Sequence, residues 1–327
     1  MLSRVADAMY WMSRYVERVE NLARFIDVTL NMILDLPVGS PEPWQPLVSV
    51  TGDHDLFAEK YGVASQESVQ KFLTFEREYP YSILSSIRLA RENARSIRET
   101  ITTEMWEQLN QFYYLVRDAS QSDRVQKSPA EFYRQIRQAS HLFQGITDHT
   151  MSHGEGWHFA NLGRLLERAD KTSRILDVKY FILLPSVSDV GTPIDDLQWS
   201  AVLRSVSGLE MYRQQYHGIT PERVVEFLTL NREFPRAVHY CVIAAEMSLH
   251  AISGTPVGAS RNLAERRMGL LRAELSYAQV QEILTRGLHE FLDALQTKIN
   301  NVGEGIYDTF ITLKSVPVDE LMLQTQL

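Results

Sequence analysis

The chain has 327 residues, 44% of them hydrophobic, a formal net charge of −8 and one cysteine, Cys241. That length and apolar content support a large buried core. The acidic balance argues against a nucleic-acid binder, which carries a basic surplus. A lone cysteine excludes an internal disulfide and a cysteine-rich zinc site.

The chain opens on a helix. At roughly 100° per residue, Arg14, Glu17, Arg18, Asn21 and Arg24 fall on about one third of the circumference, while Val5, Met12, Val16, Val19, Ala23, Ile26 and Leu30 take the other side. This is an amphipathic helix with a wide apolar face. Ser3 is read as its N-cap, and Pro37 with Gly39 as its stop, giving about 30 residues and about 45 Å. No basic region followed by an apolar run precedes it, so no signal peptide is expected. The longest apolar stretch, YFILLP at 180–185, is too short to span a bilayer. The expectation is a cytoplasmic protein with no membrane partner.

Further along, Ser65, Glu67 and Ser68 give a weak helix start. The run Thr74, Arg77, Glu78 and Pro80 reads as a helix junction tied by its Arg-Glu pair. Arg88, Arg91, Glu92, Arg95, Arg98 and Glu99 form one charged stripe at helical spacing. It is read either as a seam that meets the first helix or as a solvated face with i,i+4 pairs. Ser128-Pro129-Ala130-Glu131 has the form of a capping box with proline at the first helical position. Thr220-Pro221-Glu222 opens another helix the same way. Loops are expected at 36–44, 118–128, 185–196 and 253–260, where Pro, Gly, Ser and Asp gather. No run of alternating β-branched residues suggests a sheet. Together these elements predict an all-α helical bundle of ten to twelve helices with antiparallel neighbours.

One charged helix occurs twice. SRYVERVENLARFIDV at 13–28 aligns with GRLLERADKTSRILDV at 163–178. A shift of 150 superposes Arg14 on Arg164, Glu17 on Glu167, Arg18 on Arg168, Arg24 on Arg174 and Asp27 on Asp177, with an acid kept at Glu20 and Asp170. FLTFEREYP at 72–80 matches FLTLNREFP at 227–235 at a shift of 155, which also relates Trp44 to Trp199 and Tyr61 to Tyr216. The expectation is two diverged, tandemly duplicated helical units, 1–150 and 151–327, packed as one body about a pseudo-twofold axis. A solvated helix face drifts freely, because most surface substitutions cost little. Charge retained between copies therefore points to fixed partners. The second copy lacks the 88–99 stripe, with Ile243, Glu246, Met247 and His250 at the matching places, so a site involving that stripe is expected to be asymmetric.

The segments ADAMYWMSRYVERVENLARFIDV, RLARENARSIRE and WHFANLGRLLERADKTSRILDVKY resemble the bacterial alpha-E family. The similarity runs over nearly the whole chain. The resemblance implies an all-helical domain with a Glu-Arg motif. It also implies a genomic association with circularly permuted ATP-grasp amide ligases and transglutaminase-like cysteine peptidases, and in some operons a proteasome-like peptidase. It implies no defined reaction and no residue roles.

The residues singled out as a binding site or buried charge network are Arg14, Glu17, Arg18, Arg24, Arg91, Glu92, Arg95, Arg164, Glu167, Arg168 and Arg174. Cys241 lies in an apolar stretch and reads as a core thiol rather than a nucleophile. Glu155-x-x-His158 has the spacing used in di-iron bundles, but those need a second such motif and two more glutamates, and Gly154 and Gly156 suggest a turn. No metal and no cofactor are expected. No serine elbow, phosphate-binding glycine loop or triad is visible. The favoured function is a non-catalytic partner or substrate-docking module for the ligase and peptidase, with arginines suited to an acidic peptide or a C-terminus. Two alternatives stay open. One is an enzyme acting on a peptide or amide with Glu17 or Glu167 as acid–base. The other is a scaffold whose charged seam is only a salt-bridge network.

Overall fold

A long helix buried around most of its girth needs neighbours on several sides. Helix α1 (Ser3–Asp35) is such a helix: Met9, Met12, Val16, Val19, Ala23 and Ile26 are core, and Ser13, Glu17, Arg18, Glu20, Asn21 and Arg24 are buried as well. The computed structural model describes residues 1–35, 44–51, 54–182 and 193–312. After α1 come α2 (Trp44–Thr51), α3 (His54–Tyr61), α4 (Gln66–Phe75), α5 (Ile83–Ser96), α6 (Thr103–Ala119), α7 (Arg124–Lys127) and α8 (Pro129–Thr150). A short bend leads to α9 (Glu155–Ile182), then α10 (Pro193–Ser205), α11 (Leu209–Gln215), α12 (Pro221–Leu230), α13 (Val238–Ser253), α14 (Leu263–Tyr277), α15 (Val280–Arg286) and α16 (Leu288–Ile306). A single π-helical turn, Tyr307–Ile311, follows. Among the described residues no strand occurs, and the protein is all-α.

The helix number exceeds the ten to twelve expected because α2, α3, α7, α11 and α15 are only 4–8 residues long. Segments that short show no hydrophobic period. For the same reason the loop expected at 118–128 contains α7, and the one expected at 185–196 gives way to α10 from Pro193. The stop signal at Pro37 and Gly39 lies outside the described residues.

Helices α1 and α9 pack along each other more extensively than any other pair. Helix α1 also rests on α5, α8 and α10, while α9 rests on α13, α16 and α2. The expected division near residue 150 thus falls in the bend between α8 and α9, and the main helix–helix contact crosses it. Gly163 permits that contact. A Cβ there would lie 2.3 Å from the Tyr10 carbonyl oxygen, a backbone atom that cannot swing aside.

Helix ends follow the expected chemistry in part. Ser3 is the first residue of α1 rather than its cap, and the Leu2 carbonyl accepts from the Val5 and Ala6 amides there. Ser65 and Ser68 cap α4 reciprocally, and Thr220 accepts from the Arg223 amide at the start of α12. Ser128 makes no side-chain cap on α8, and the Glu131 carboxylate accepts from Arg134 and Gln135. The corner after α4 is not tied by Arg77 and Glu78 as expected. There Glu76 accepts from the Glu78 amide at 3.0 Å, and Glu78 pairs with Lys60 at 2.7 Å. Asn231 accepts from the Glu233 and Phe234 amides at the second corner. A short acceptor at the first corner residue meets the exposed amides directly, which an arginine cannot do.

Candidate functional site

Glu17 and Arg18 are sequence neighbours on α1, and Glu167 and Arg168 are neighbours on α9. Where the helices cross, the pairs exchange partners. Arg168 donates Nε to Glu17 Oε1 at 2.9 Å and Nη2 to Oε2 at 2.8 Å. Arg18 donates Nε to Glu167 Oε1 at 2.7 Å and Nη2 to Oε2 at 2.9 Å. Both are parallel two-bond forks, the strongest arrangement available to a guanidinium and a carboxylate. Both glutamates are 0% exposed, and Arg18 and Arg168 are 6% and 8% exposed.

The surroundings of the two forks differ. Around Glu17, Asn21 donates to Oε1 at 3.0 Å, Gln144 of α8 to Oε2 at 3.0 Å and Arg236 to Oε1 at 3.3 Å. Arg236 also binds Glu20, which accepts from Arg24 at 2.9 Å and from Ser140 at 2.9 Å and lies 3.0 Å from His141 Nε2. Burial pushes the Glu17 and Glu20 carboxyls up. Arg168 and Arg236 beside Glu17, and Arg236, His141 and Arg24 beside Glu20, outweigh that and hold both below the usual carboxylate range. Arg236 pays the opposing cost of burial with Arg168 and Arg24 crowded near it, and its own pKa is lowered.

Around Glu167, Arg14 donates Nε at 3.0 Å and Lys171 approaches to 3.5 Å. Burial raises this carboxyl too, but Arg18, Lys171 and Arg14 bring it well below the ordinary range. Asp170 holds Lys171 at 2.9 Å and Arg174 at 3.0 Å. This side opens into a cleft of about 320 Å³ whose lining includes Trp11, Arg14, Arg18, Tyr79, Tyr81, Lys171 and Arg174. Arg18 lies 4.7 Å from the Tyr81 ring centre, and Arg14 lies 4.8 Å from that of Trp11, distances suited to cation–π contact.

The structure brings Arg14, Glu17, Arg18, Arg24, Glu167, Arg168 and Arg174 to this centre. Arg164, the sequence counterpart of Arg14, takes no carboxylate. Its Nη2 donates to Asn161, and its buried Nε has no hydrogen-bond partner. Arg91, Glu92 and Arg95 stay apart from it. Arg91 donates to Asn110 at 2.6 Å and packs on Trp106 and Tyr113 of α6, while Glu92 and Arg95 are exposed. The stripe therefore faces α6 and solvent, not α1. Glu155 sits in the first turn of α9 and accepts from the Met1 amino group at 2.7 Å. Among the described residues no cluster of three or more His, Cys, Asp or Glu side chains is placed to hold a metal ion. None of the helices there is long and apolar enough to cross a membrane.

Arg236, Gln144, Ser140 and His141 complete the centre and were not singled out in the sequence. Arg236 had a usable signal: it directly follows the repeated corner at Pro235, where Tyr81 follows Pro80. Gln144, Ser140 and His141 carried none.

Fold and site together define an all-helical protein organised around two crossed Glu-Arg pairs. Residues 1–311 match the Alpha-E family, described as a predicted alpha-helical domain with a conserved ER motif, and the chain belongs to that family. It is similar to uncharacterised proteins of Mycobacterium bovis and of two strains of Mycobacterium tuberculosis, each 22% identical over 342 aligned residues. The alignments cover 95% of this chain but only 37% of each relative's length. No solved structure matches the chain.

Proposed function

We propose that the chain is a non-catalytic docking module that works with an ATP-grasp amide ligase and a transglutaminase-like peptidase, receiving one of them or a peptide they act on. The observation that carries this reading is the state of Glu17 and Glu167. Both are wholly buried, each is forked onto an arginine, and both are held ionised. A general acid or base must reach its substrate and exchange a proton near the working pH. Neither glutamate has a free edge for that task, so the acid–base alternative loses its candidates. The forks fix the crossing of α1 and α9, and the cationic cleft beside them faces outward.

We read residues 1–150 and 151–327 as diverged copies of one helical unit. The repeated charges, the reciprocal forks and the parallel roles of α5 on α1 and α13 on α9 support this. The test of the docking reading is co-expression of the tagged chain with an ATP-grasp amide ligase and a transglutaminase-like peptidase from the same genome, followed by affinity purification. Co-purification of either protein is expected. Recovery of the tagged chain alone overturns the proposal, and amide-forming or amide-cleaving turnover by that chain would favour the enzymatic reading in its place.

A further inference from the structure

We infer that the cleft between α1 and α9 is a binding site for the terminal carboxylate of a peptide, with Arg18, Arg14, Lys171 and Arg174 supplying the positive field. The inference rests on the docking reading and names the chemistry of what is docked.

The Arg18 guanidinium spends Nε and Nη2 on Glu167, and its third nitrogen, Nη1, is buried and has no hydrogen-bond partner. A buried donor left unsatisfied costs about 1–3 kcal/mol, and more when it is charged. Arg18 lines the cleft, and Nη1 lies on the guanidinium edge turned away from the fork. An acceptor seated against Arg18 would satisfy Nη1 once the side chains around it give way.

The electrostatics point the same way. Four cations, Arg14, Arg18, Lys171 and Arg174, line the cleft with one carboxylate, Asp170, and Glu167 behind them supplies a second. Positive charge in a concave surface with low-dielectric walls draws in anions. Trp11, Tyr79 and Tyr81 give the cleft apolar walls, which suit the side chain or backbone of a terminal residue. At about 320 Å³ the space stands at the low end for small-ligand sites, roughly 300–1,000 Å³. It therefore fits a chain end rather than a folded domain.

The opposite face of the centre shows what closure looks like. The place that Tyr81 holds after Pro80 is held by Arg236 after Pro235. Arg236 reaches back to Glu17 and Glu20 and, with Gln144, fills the space beside that fork. On the cleft side a half-exposed tyrosine stands instead, and no side chain of the described residues satisfies Arg18 Nη1.

The test is calorimetric titration of the whole chain with an N-acetyl dipeptide bearing a free carboxylate, with the same dipeptide as its C-terminal amide, and with inorganic phosphate. The acid is expected to bind at least tenfold more tightly than the amide. Arg174→Gln, whose guanidinium pairs with Asp170 and joins neither fork, is expected to weaken the acid at least fivefold while the thermal midpoint stays near that of the parent chain, and Arg174→Lys is expected to restore binding. Equal binding of acid and amide, or no heat from either, overturns the inference and assigns Arg18 Nη1 to an ordered water. Tight binding of phosphate without the acid overturns the carboxylate assignment. If the acid fails to bind while the ligase still co-purifies, the cleft inference falls and the docking reading stands. If the acid binds and neither enzyme co-purifies, the reverse holds.

Discussion

Glu17 and Arg168 stand 151 residues apart and meet through two hydrogen bonds of 2.9 and 2.8 Å in the interior. Removing one partner of such a pair strands a buried charge. Glu17→Met and Arg168→Met are each expected to lower unfolding free energy by about 3–5 kcal/mol, whereas the two combined should cost much less than their sum. Urea unfolding of the two single variants and the double variant measures this. A double variant as unstable as the sum of the singles contradicts the paired geometry.

Arg18 tests the fork itself. Lysine keeps the charge but cannot present two parallel donors to Glu167. Arg18→Lys is expected to cost roughly 1.5–3 kcal/mol, the range for hydrogen bonds to charged groups. Arg95→Lys, on the exposed stripe, should stay within about 0.5 kcal/mol of the parent. A silent Arg18→Lys in the same denaturation series speaks against a fork.

Gly163 governs how closely α1 and α9 approach. Because a methyl group there meets the Tyr10 carbonyl at 2.3 Å, Gly163→Ala must push the helices apart. The expected loss is about 1–3 kcal/mol despite the better helix propensity of alanine. A rise in thermal midpoint would show that the crossing is looser than described.

Acid should open the centre. The Glu17, Glu20 and Glu167 carboxyls lie below the ordinary glutamate value of 4.5 when folded. Unfolded, they take up protons near that ordinary value, so below it the unfolded chain binds more protons than the folded one. The stabilisation is full above about pH 4.5 and is lost as pH falls through the depressed values. Urea midpoints should drop steeply once the pH passes below about 4.5. A midpoint that holds steady to about pH 3 would count against ionised glutamates in the interior.

Cys241 gives a further check. Burial raises its thiol to about 12, so little thiolate forms at neutral pH. A thiol reagent should label the native chain hardly at all and the denatured chain fully. Rapid labelling of native protein would place Cys241 at an opening surface.

The helical class and the central helices were legible because α1 and α9 carry long periodic patterns. The repeated Glu17-Arg18 and Glu167-Arg168 marked the centre because charge on both copies is hard to explain on a free surface. The sequence did not show which arginine each glutamate takes, since crossing partners is a property of packing and not of spacing. Arg236 has no periodicity of its own, and only its place directly after the repeated corner at Pro235 pointed to it. Arg91 and Arg95 misled for the opposite reason: an exposed stripe at helical spacing looks like a buried one until the neighbouring helix is placed.

The crossed forks also set an order of events during synthesis. Glu17 and Arg18 leave the ribosome some 150 residues before the fork partners that answer them, and at about 5–20 residues per second that is a wait of roughly 8–30 s. Through that interval Glu17 and Glu20 have only Asn21, Arg24, Ser140, His141 and Gln144 to answer them. A chain that ends ahead of α9 lacks both Glu167 and Arg168 and leaves Arg18 and Glu17 without their fork partners.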